Sequence, residues 1–166
     1  MFIGTHALLP VCLALTSDDL RLSTRREESF PEWSIPLIAF FGALPDICSS
    51  HLSLEARYSS WSHTLAFLGA LIPFCFWAAT YFPKGTRLSV AASCWFASAL
   101  HLAADALAGG IPWLMPWVMP EVTPNQRIGI LGDFYIHPDY WIFSDAFFVL
   151  LTWILLGIRA ELRKRI

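Results

Sequence analysis

Hydrophobic residues along this chain form five runs separated by polar segments, at positions 2–16, 35–45, 64–82, 88–108 and 141–157. An α-helix rises about 1.5 Å per residue, so about 20 apolar residues are needed to cross a hydrocarbon core of about 30 Å. The last three runs approach that length, and residues 64–82, which contain no charge, are the strongest spanning candidate. The first two runs are too short for a full crossing. The pattern therefore predicts an all-α integral membrane helical bundle with short or re-entrant N-terminal helices.

The polar segments between the runs predict where the helices end. Residues 17–33 mix acidic and basic side chains, which is typical of a solvated loop. Pro45 should end the second helix, Thr86 should precede the fourth, and Gly110 with its preceding glycine should end the fourth. Residues 111–124 contain four prolines and two tryptophans. We therefore expect an irregular interfacial segment there, followed by a polar turn region over 125–140.

The composition favours one membrane-embedded domain over residues 1–166. Hydrophobic residues make up 56 % of the chain and charged residues 14 %, against about 25 % charged residues in soluble domains. The net charge is −2 and the basic residues are few, so no nucleic-acid-binding surface is indicated. No basic residue precedes the run 2–16 and acidic residues follow it. We therefore expect this run to be retained and not removed as a signal peptide.

Basic residues beside the hydrophobic runs predict the orientation. Lys84 and Arg87 follow the run 64–82, and Arg163, Lys164 and Arg165 close the chain. The positive-inside rule places both groups on the cytoplasmic side of a bacterial or archaeal inner membrane, with the lipid bilayer as partner and the C-terminus cytoplasmic. The ends of the runs that carry His and Asp would then lie together near the other face.

Five His and Asp residues near the ends of the runs are the candidate functional residues. His101 and Asp105 are four residues apart, which places them on one face of a helix. Ionisable groups in such a helix need a partner, and the alternatives are a metal ion, a proton path or other buried polar groups. Imidazole and carboxylate together are typical ligands of zinc, manganese and iron. The candidate ligands are His6, Asp46, His63, His101 and Asp105.

Four short motifs occur in a fixed order: Thr5-His6, residues 44–47 (Leu-Pro-Asp-Ile), residues 62–64 (Ser-His-Thr) and the His-x-x-x-Asp of residues 101–105. In these motifs, residues 1–115 resemble the LexA-regulated, membrane-bound, predicted metal-dependent hydrolases of bacteria and archaea. That family has Thr-His, Leu-Pro-Asp-Ile-Asp, Thr-His-Ser and His-x-x-x-Asp in this order. The chain departs from it at Cys48, where the family has a second aspartate, and at Tyr58-Ser59, where it usually has His-Arg.

The residues and the resemblance together imply a hydrolase. A metal, zinc first and manganese second, would activate a water molecule to attack an ester or phosphoester. Asp46 is expected as a bridging ligand or as the general base, and the membrane setting favours a lipid or lipid-linked substrate. Two alternatives stay open: a small cation or proton transporter that uses the same residues, and a degenerate member that keeps only the fold. The sequence has no inverted repeat of the kind found in many transporters.

The remaining polar candidates each have more than one interpretation. Cys48 is either a thiolate ligand or a structural cysteine. His51 fits a surface pair with the glutamate four residues later. His137 and Asp139 lie in the polar turn region and have a weaker claim to the site. Asp145 lies early in the last run, where it is functional, hydrated at the interface, or a cap of its own helix.

Overall fold

The computed structural model describes residues 3–25, 30–49, 59–108, 110–118 and 138–165. These residues form five α-helices and a short 3₁₀ helix, with no strand among them. The α-helices are α1 (Ile3–Arg25), α2 (Ser34–Cys48), α3 (Leu65–Ala79), α4 (Arg87–Ala108) and α5 (Pro138–Arg163), and the 3₁₀ helix is Trp61–His63. The predicted all-α class is confirmed.

Helices α1 and α4 each contact three other helices, α1 contacting α2, α4 and α5, and α4 contacting α1, α2 and α3. Helix α4 carries two of the candidate residues. Its buried residues Val90, Cys94 and Ala97 recur at intervals of three and four, which places them on one face of the helix. His101 and Asp105 continue the same buried face toward the C-terminus of α4. The functional candidates on α4 are therefore an extension of the hydrophobic core.

Helices α1 and α5 run parallel. Thr5 contacts Asp145 near the start of both helices, and Asp18 contacts Arg159 farther along both. The direction of the chain then alternates, so that one end of the bundle carries the N-termini of α1, α3 and α5 and the C-termini of α2 and α4. We call this the site end and the opposite end the basic end. The basic end carries every lysine and arginine that the structure describes, namely Arg21, Arg25, Lys84, Arg87, Arg159, Arg163, Lys164 and Arg165.

The outer surface is strongly apolar. Phe143 and Trp153 on α5 are each 73 % exposed, and large apolar side chains on α3 also face outward. Helices α4 and α5 are long and apolar enough to cross a membrane, whereas α2 and α3 are apolar helices of 15 residues. An outward apolar surface of this kind suits contact with lipid chains.

The prediction that residues 64–82 form the strongest spanning helix is wrong. Helix α3 covers only Leu65–Ala79, because the backbone N–H groups of Thr80, Tyr81 and Phe82 each bond a carbonyl three residues earlier and tighten the chain into a turn before Pro83. At about 1.5 Å per residue, α3 is about 22 Å long.

The prediction that residues 17–33 form a solvated loop is also wrong for its first part. Helix α1 continues to Arg25, and Asp18 and Asp19 are buried. An oxygen of Asp18 lies 2.6 Å from a guanidinium nitrogen of Arg159 on α5. A local pattern of charged residues cannot reveal this, because the partner that makes burial tolerable is 141 positions away in sequence.

Pro45 does not end α2, which continues to Cys48 with Pro45 inside it. Proline has no N–H, so the carbonyl four residues earlier, that of Phe41, loses its helical donor. The Ser98 hydroxyl of α4 donates to this carbonyl at 2.7 Å. A side chain from a neighbouring helix therefore allows α2 to pass Pro45 and to carry Asp46 in its last turn.

The expected end of α4 and the irregular backbone after it are confirmed for the described residues, and the interfacial position of residues 111–124 stays a prediction. The N–H of Gly110, which has φ 81°, donates to the Asp105 carbonyl just after α4 ends, a common helix C-terminus. Residues 110–118 contain turns and no regular helix. Residues 119–137, which include His137 and most of the predicted turn region, lie outside the described residues.

Candidate metal centre

The structure brings all five candidate side chains together at the site end of the bundle. His6 is in the first turns of α1, Asp46 in the last turn of α2, and His63 at the end of the 3₁₀ helix. His101 and Asp105 are on the last turns of α4. His6, His63, His101 and Asp105 are almost completely buried, and the Asp46 side chain is 13 % exposed. Four separate segments of the chain therefore build one polar cluster.

Four of these side chains point one atom each at a common position. Asp46 Oδ1 lies 3.4 Å from His63 Nε2 and 3.6 Å from His101 Nε2. Asp105 Oδ2 lies 3.2 Å and 3.4 Å from the same two nitrogens, and the two nitrogens are 3.2 Å apart. The edges of a tetrahedron of ligands at about 2.0–2.1 Å from zinc are about 3.3 Å long. These five distances are therefore close to those expected around a four-coordinate metal ion.

The position of His101 is fixed from behind. Its Nδ1 lies 2.6 Å from the carbonyl oxygen of Gly42 on α2. A carbonyl can only accept a hydrogen bond, so Nδ1 must carry the proton. In the neutral imidazole, Nε2 then presents a lone pair toward the cluster, the arrangement found in metal-bound histidines.

His63 is held in a similar way. Its Nδ1 lies 2.8 Å from the Ser60 hydroxyl oxygen and 3.2 Å from that of Ser62. The Ser62 hydroxyl donates its proton to the Pro45 carbonyl at 2.6 Å. The Ser62 oxygen can therefore accept a hydrogen bond from His63 Nδ1–H. The adjacent Thr64 caps α3 by accepting from the Phe67 backbone N–H at 3.1 Å. This cap fixes where the 3₁₀ helix meets α3.

The facing lone pairs give the cluster its chemistry. When both imidazoles are neutral and carry their proton on Nδ1, their Nε2 lone pairs face each other at 3.2 Å and repel, and the carboxylates of Asp46 and Asp105 beside them add negative charge. A divalent cation at the common position would convert these repulsions into attractions. The set of Asp46, His63, His101 and Asp105 fits a metal, because two imidazoles with two carboxylates suit zinc or manganese.

His6 lies beside this set of four and not within it. Its ring stacks on His101 with a centroid distance of 3.8 Å and an interplanar angle of 24°. Its Nε2 lies 3.1 Å from Asp105 Oδ1, the carboxylate oxygen that does not face the common position. The candidate ligands therefore divide into four that converge on one point and a fifth that contacts the outer oxygen of Asp105.

Asp145 is paired, but not in the way expected for a cap of its own helix. One of its oxygens accepts from the backbone N–H of Thr5 at 2.7 Å, and the Thr5 hydroxyl also donates to it. The Thr5 N–H lies in the first turn of α1 and has no acceptor within that helix. Asp145 therefore caps α1 from α5 and holds the residue that precedes His6.

The other candidates stay outside the cluster. Cys48 is exposed and is not part of the metal-binding group among the described residues. Asp139 is exposed in the first turn of α5. His51, the glutamate four residues after it and His137 lie outside the described residues. Tyr58, which stands where the resembling family usually has the histidine of its His-Arg pair, also lies outside them.

Sequence reasoning missed the residues that orient the histidines. Across the α2–α4 contact, the Ser98 hydroxyl donates to the Phe41 carbonyl and the Gly42 carbonyl accepts from His101. Ser60 and Ser62 bind His63 from the same segment of the chain. One signal was present: Ser98 precedes His101 by three positions and so shares its face of α4. The Gly42 carbonyl has no side-chain signal at all.

The fold and the site together define a small helical membrane protein with a buried histidine–aspartate cluster at one end of its bundle. This class agrees with the comparison to protein families. The chain matches the family described as YdjM inner membrane protein over residues 1–164 and belongs to that family. The predicted inner-membrane location is thereby supported. No match was found among curated proteins or among solved structures.

Proposed function

We propose that this protein is a membrane-bound, metal-dependent hydrolase that acts on an ester or phosphoester of a lipid or lipid-linked substrate. The observation that carries the proposal is the convergence of Asp46 Oδ1, His63 Nε2, His101 Nε2 and Asp105 Oδ2, with five separations of 3.2–3.6 Å. The resemblance described above implies the same activity. LexA regulation, which that resemblance also implies, concerns the gene and is not a property of these residues.

Zinc is the first choice of metal and manganese the second. When bound, such an ion lowers the pKa of a coordinated water toward about 7 and polarises a carbonyl or phosphoryl oxygen. The His63 and His101 rings would hold it through Nε2, and Asp105 through Oδ2. The hydrogen bond to the Gly42 carbonyl keeps His101 in the binding tautomer, and the serine hydroxyls beside His63 Nδ1 can accept its proton in the same way.

Asp46 has a different role from the other three. Its side chain is 13 % exposed while those of His63 and Asp105 are 0 % exposed, so it forms the edge of the cluster that opens to the surroundings. A carboxylate at that edge can accept a proton from the attacking water and pass it to solvent. We assign Asp46 as the general base and not as a permanent ligand. The two histidines and Asp105 would then hold the ion and leave its fourth position for water.

The depth of the site favours a substrate that resides in the membrane. Helix α3 is about 22 Å long against a hydrocarbon core of about 30 Å, so His63 lies up to about 8 Å below the interface or the bilayer thins there. Trp61 and Trp117 near the site end are 53 % and 72 % exposed, as expected of tryptophan at the headgroup level. The ester and phosphoester bonds of lipids also lie near the headgroup level. The basic end would face the cytoplasm, which places the site toward the opposite side.

The test of the metal site is elemental analysis of protein purified in detergent. Wild type should hold zinc or manganese, and His101→Ala and Asp105→Ala should each lose it while remaining folded by circular dichroism. Asp139→Asn is the matched control, because it removes an exposed carboxylate at the same end of the bundle. Full metal content in both site variants would contradict the ligand assignment.

The test of the activity uses lipid phosphoesters and carboxylic esters in mixed micelles with zinc or manganese. Asp46→Asn should keep most of the metal and slow hydrolysis by about 10²–10⁴-fold. If wild type hydrolyses no member of the panel but moves protons or cations in liposomes, the transporter alternative replaces the hydrolase. If it does neither and binds no metal, the degenerate alternative replaces both.

A further inference from the structure

We propose that the site holds a second divalent metal ion, between His6 Nε2 and Asp105 Oδ1, and that the Asp105 carboxylate bridges the two ions. This inference rests on the proposed metal-dependent function and extends it. It gives a role to His6, the one candidate ligand that does not converge with the other four.

The two oxygens of Asp105 face different partners. Oδ2 lies 3.2 Å from His63 Nε2 and 3.4 Å from His101 Nε2, whereas Oδ1 lies 3.1 Å from His6 Nε2. The separation of His6 Nε2 from Oδ1 is close to the spacing of about 3.3 Å between neighbouring ligands of one zinc ion. The carboxylate therefore presents one oxygen to each of two adjacent positions, as a bridging ligand does.

The stacking of the two imidazoles sets the distance between those positions. His6 and His101 lie 3.8 Å apart in nearly parallel planes, and both direct Nε2 at the same carboxylate. Ions bound to the two nitrogens would be separated by about the same distance as the rings. Two-metal hydrolytic sites have metal separations of about 3.5–4 Å.

His6 is built into the protein as a buried and fixed group. It is 1 % exposed, and its Nδ1 has no hydrogen-bond partner among the described residues. The preceding residue, Thr5, is bonded to Asp145 on α5. On the other side, Gly42 of α2 packs closely against the His6 backbone carbonyl. The backbone at His6 is therefore held from two sides, which fixes where its buried imidazole can meet a ligand.

Charge then favours phosphoesters over carboxylic esters. The two carboxylates, Asp46 and Asp105, balance one divalent ion, so a second ion leaves an excess of positive charge. His6 and Asp105 supply two ligands to that ion and leave positions for water and substrate oxygens. An anionic phosphoryl group would neutralise the excess and could contact both ions, as in other two-metal sites.

The experiment measures metal stoichiometry and magnetic coupling. Purified wild type loaded with zinc should hold about two ions per chain, His6→Ala about one, and Asp139→Asn about two. Loaded with Mn²⁺, wild type should give the electron paramagnetic resonance spectrum of an exchange-coupled pair, and His6→Ala the hyperfine pattern of isolated ions. His6→Asn is a second variant in case the alanine protein does not fold.

The outcomes separate this inference from the proposed function. If wild type holds one ion and shows no coupling between Mn²⁺ ions, the second metal site is contradicted and the hydrolase proposal is unaffected. No bound metal in wild type would overturn both. Two ions in a folded His6→Ala protein would overturn the role of His6.

Discussion

Gly42→Ala should destabilise this protein, although the same change at Gly69 of α3 should be harmless. Gly42 lies inside α2, where α1 approaches most closely. A Cβ atom there would overlap the His6 backbone carbonyl and would lie 2.9 Å from Pro10 Cγ. Carbon atoms pack at about 3.5–4.0 Å, so α1 and α2 must separate by at least about 0.6 Å.

The magnitude follows from two opposing effects. Alanine is a better helix former than glycine by about 1 kcal/mol, which favours the variant. Overpacking against a backbone carbonyl cannot be relieved by a side-chain rotation and typically costs about 1–3 kcal/mol. The difference is a net loss of up to about 2 kcal/mol, so we expect the melting temperature to fall by up to about 8 °C, at about 2–4 °C per kcal/mol for a chain of this size.

The matched control is Gly69→Ala on α3, where a new Cβ would meet nothing within 4 Å. Thermal unfolding in one detergent should show Gly69→Ala at or slightly above the wild-type temperature and Gly42→Ala below it. The displaced α1 should also weaken the contact of His6 with Asp105, so that metal content falls in Gly42→Ala alone. A Gly42→Ala protein as stable as Gly69→Ala would refute the close approach of α1 and α2.

Three further predictions concern the rest of the bundle. Arg159→Met leaves Asp18 buried without its cation and should lower stability by about 3–5 kcal/mol in thermal unfolding, with Asp18→Leu added to it restoring part of the loss; an unchanged melting temperature would contradict the buried pair. Asp145→Ala removes the cap of α1 and should cost about 0.5–2 kcal/mol, whereas Asp145→Asn should cost less. A membrane-impermeant thiol reagent should label Cys48 in intact cells, and should not label Gly85→Cys in a Cys48→Ser background; the reverse pattern would invert the orientation.

The sequence was most informative where chemistry and helical spacing coincide. His101 and Asp105 share a face because they are four residues apart, and the remaining candidates mark the ends of hydrophobic runs that alternate in direction. Such rules need only local spacing and chain direction. They were enough to predict the helical class and to select five side chains that the structure brings into one cluster.

The errors arose where a distant residue decides the local structure. Helix α1 continues through its charged residues because Arg159, far along the chain, forms an ion pair with the buried Asp18. Helix α2 passes Pro45 because Ser98 replaces the missing donor to the Phe41 carbonyl. Neither partner is visible in a local window of hydrophobicity, since both contacts require the tertiary packing that the window is meant to predict.

The cap of α1 by Asp145 has a consequence for biosynthesis. The Thr5 N–H is synthesised before its acceptor, which follows 140 residues later. At about 5–20 residues per second, the start of α1 is without this contact for roughly 7–28 s, while α2 to α4 are synthesised. A nascent chain arrested before α5 would already contain every proposed ligand but would lack the group that holds His6 in place. Assembly of the cluster is thereby coupled to completion of the last membrane helix.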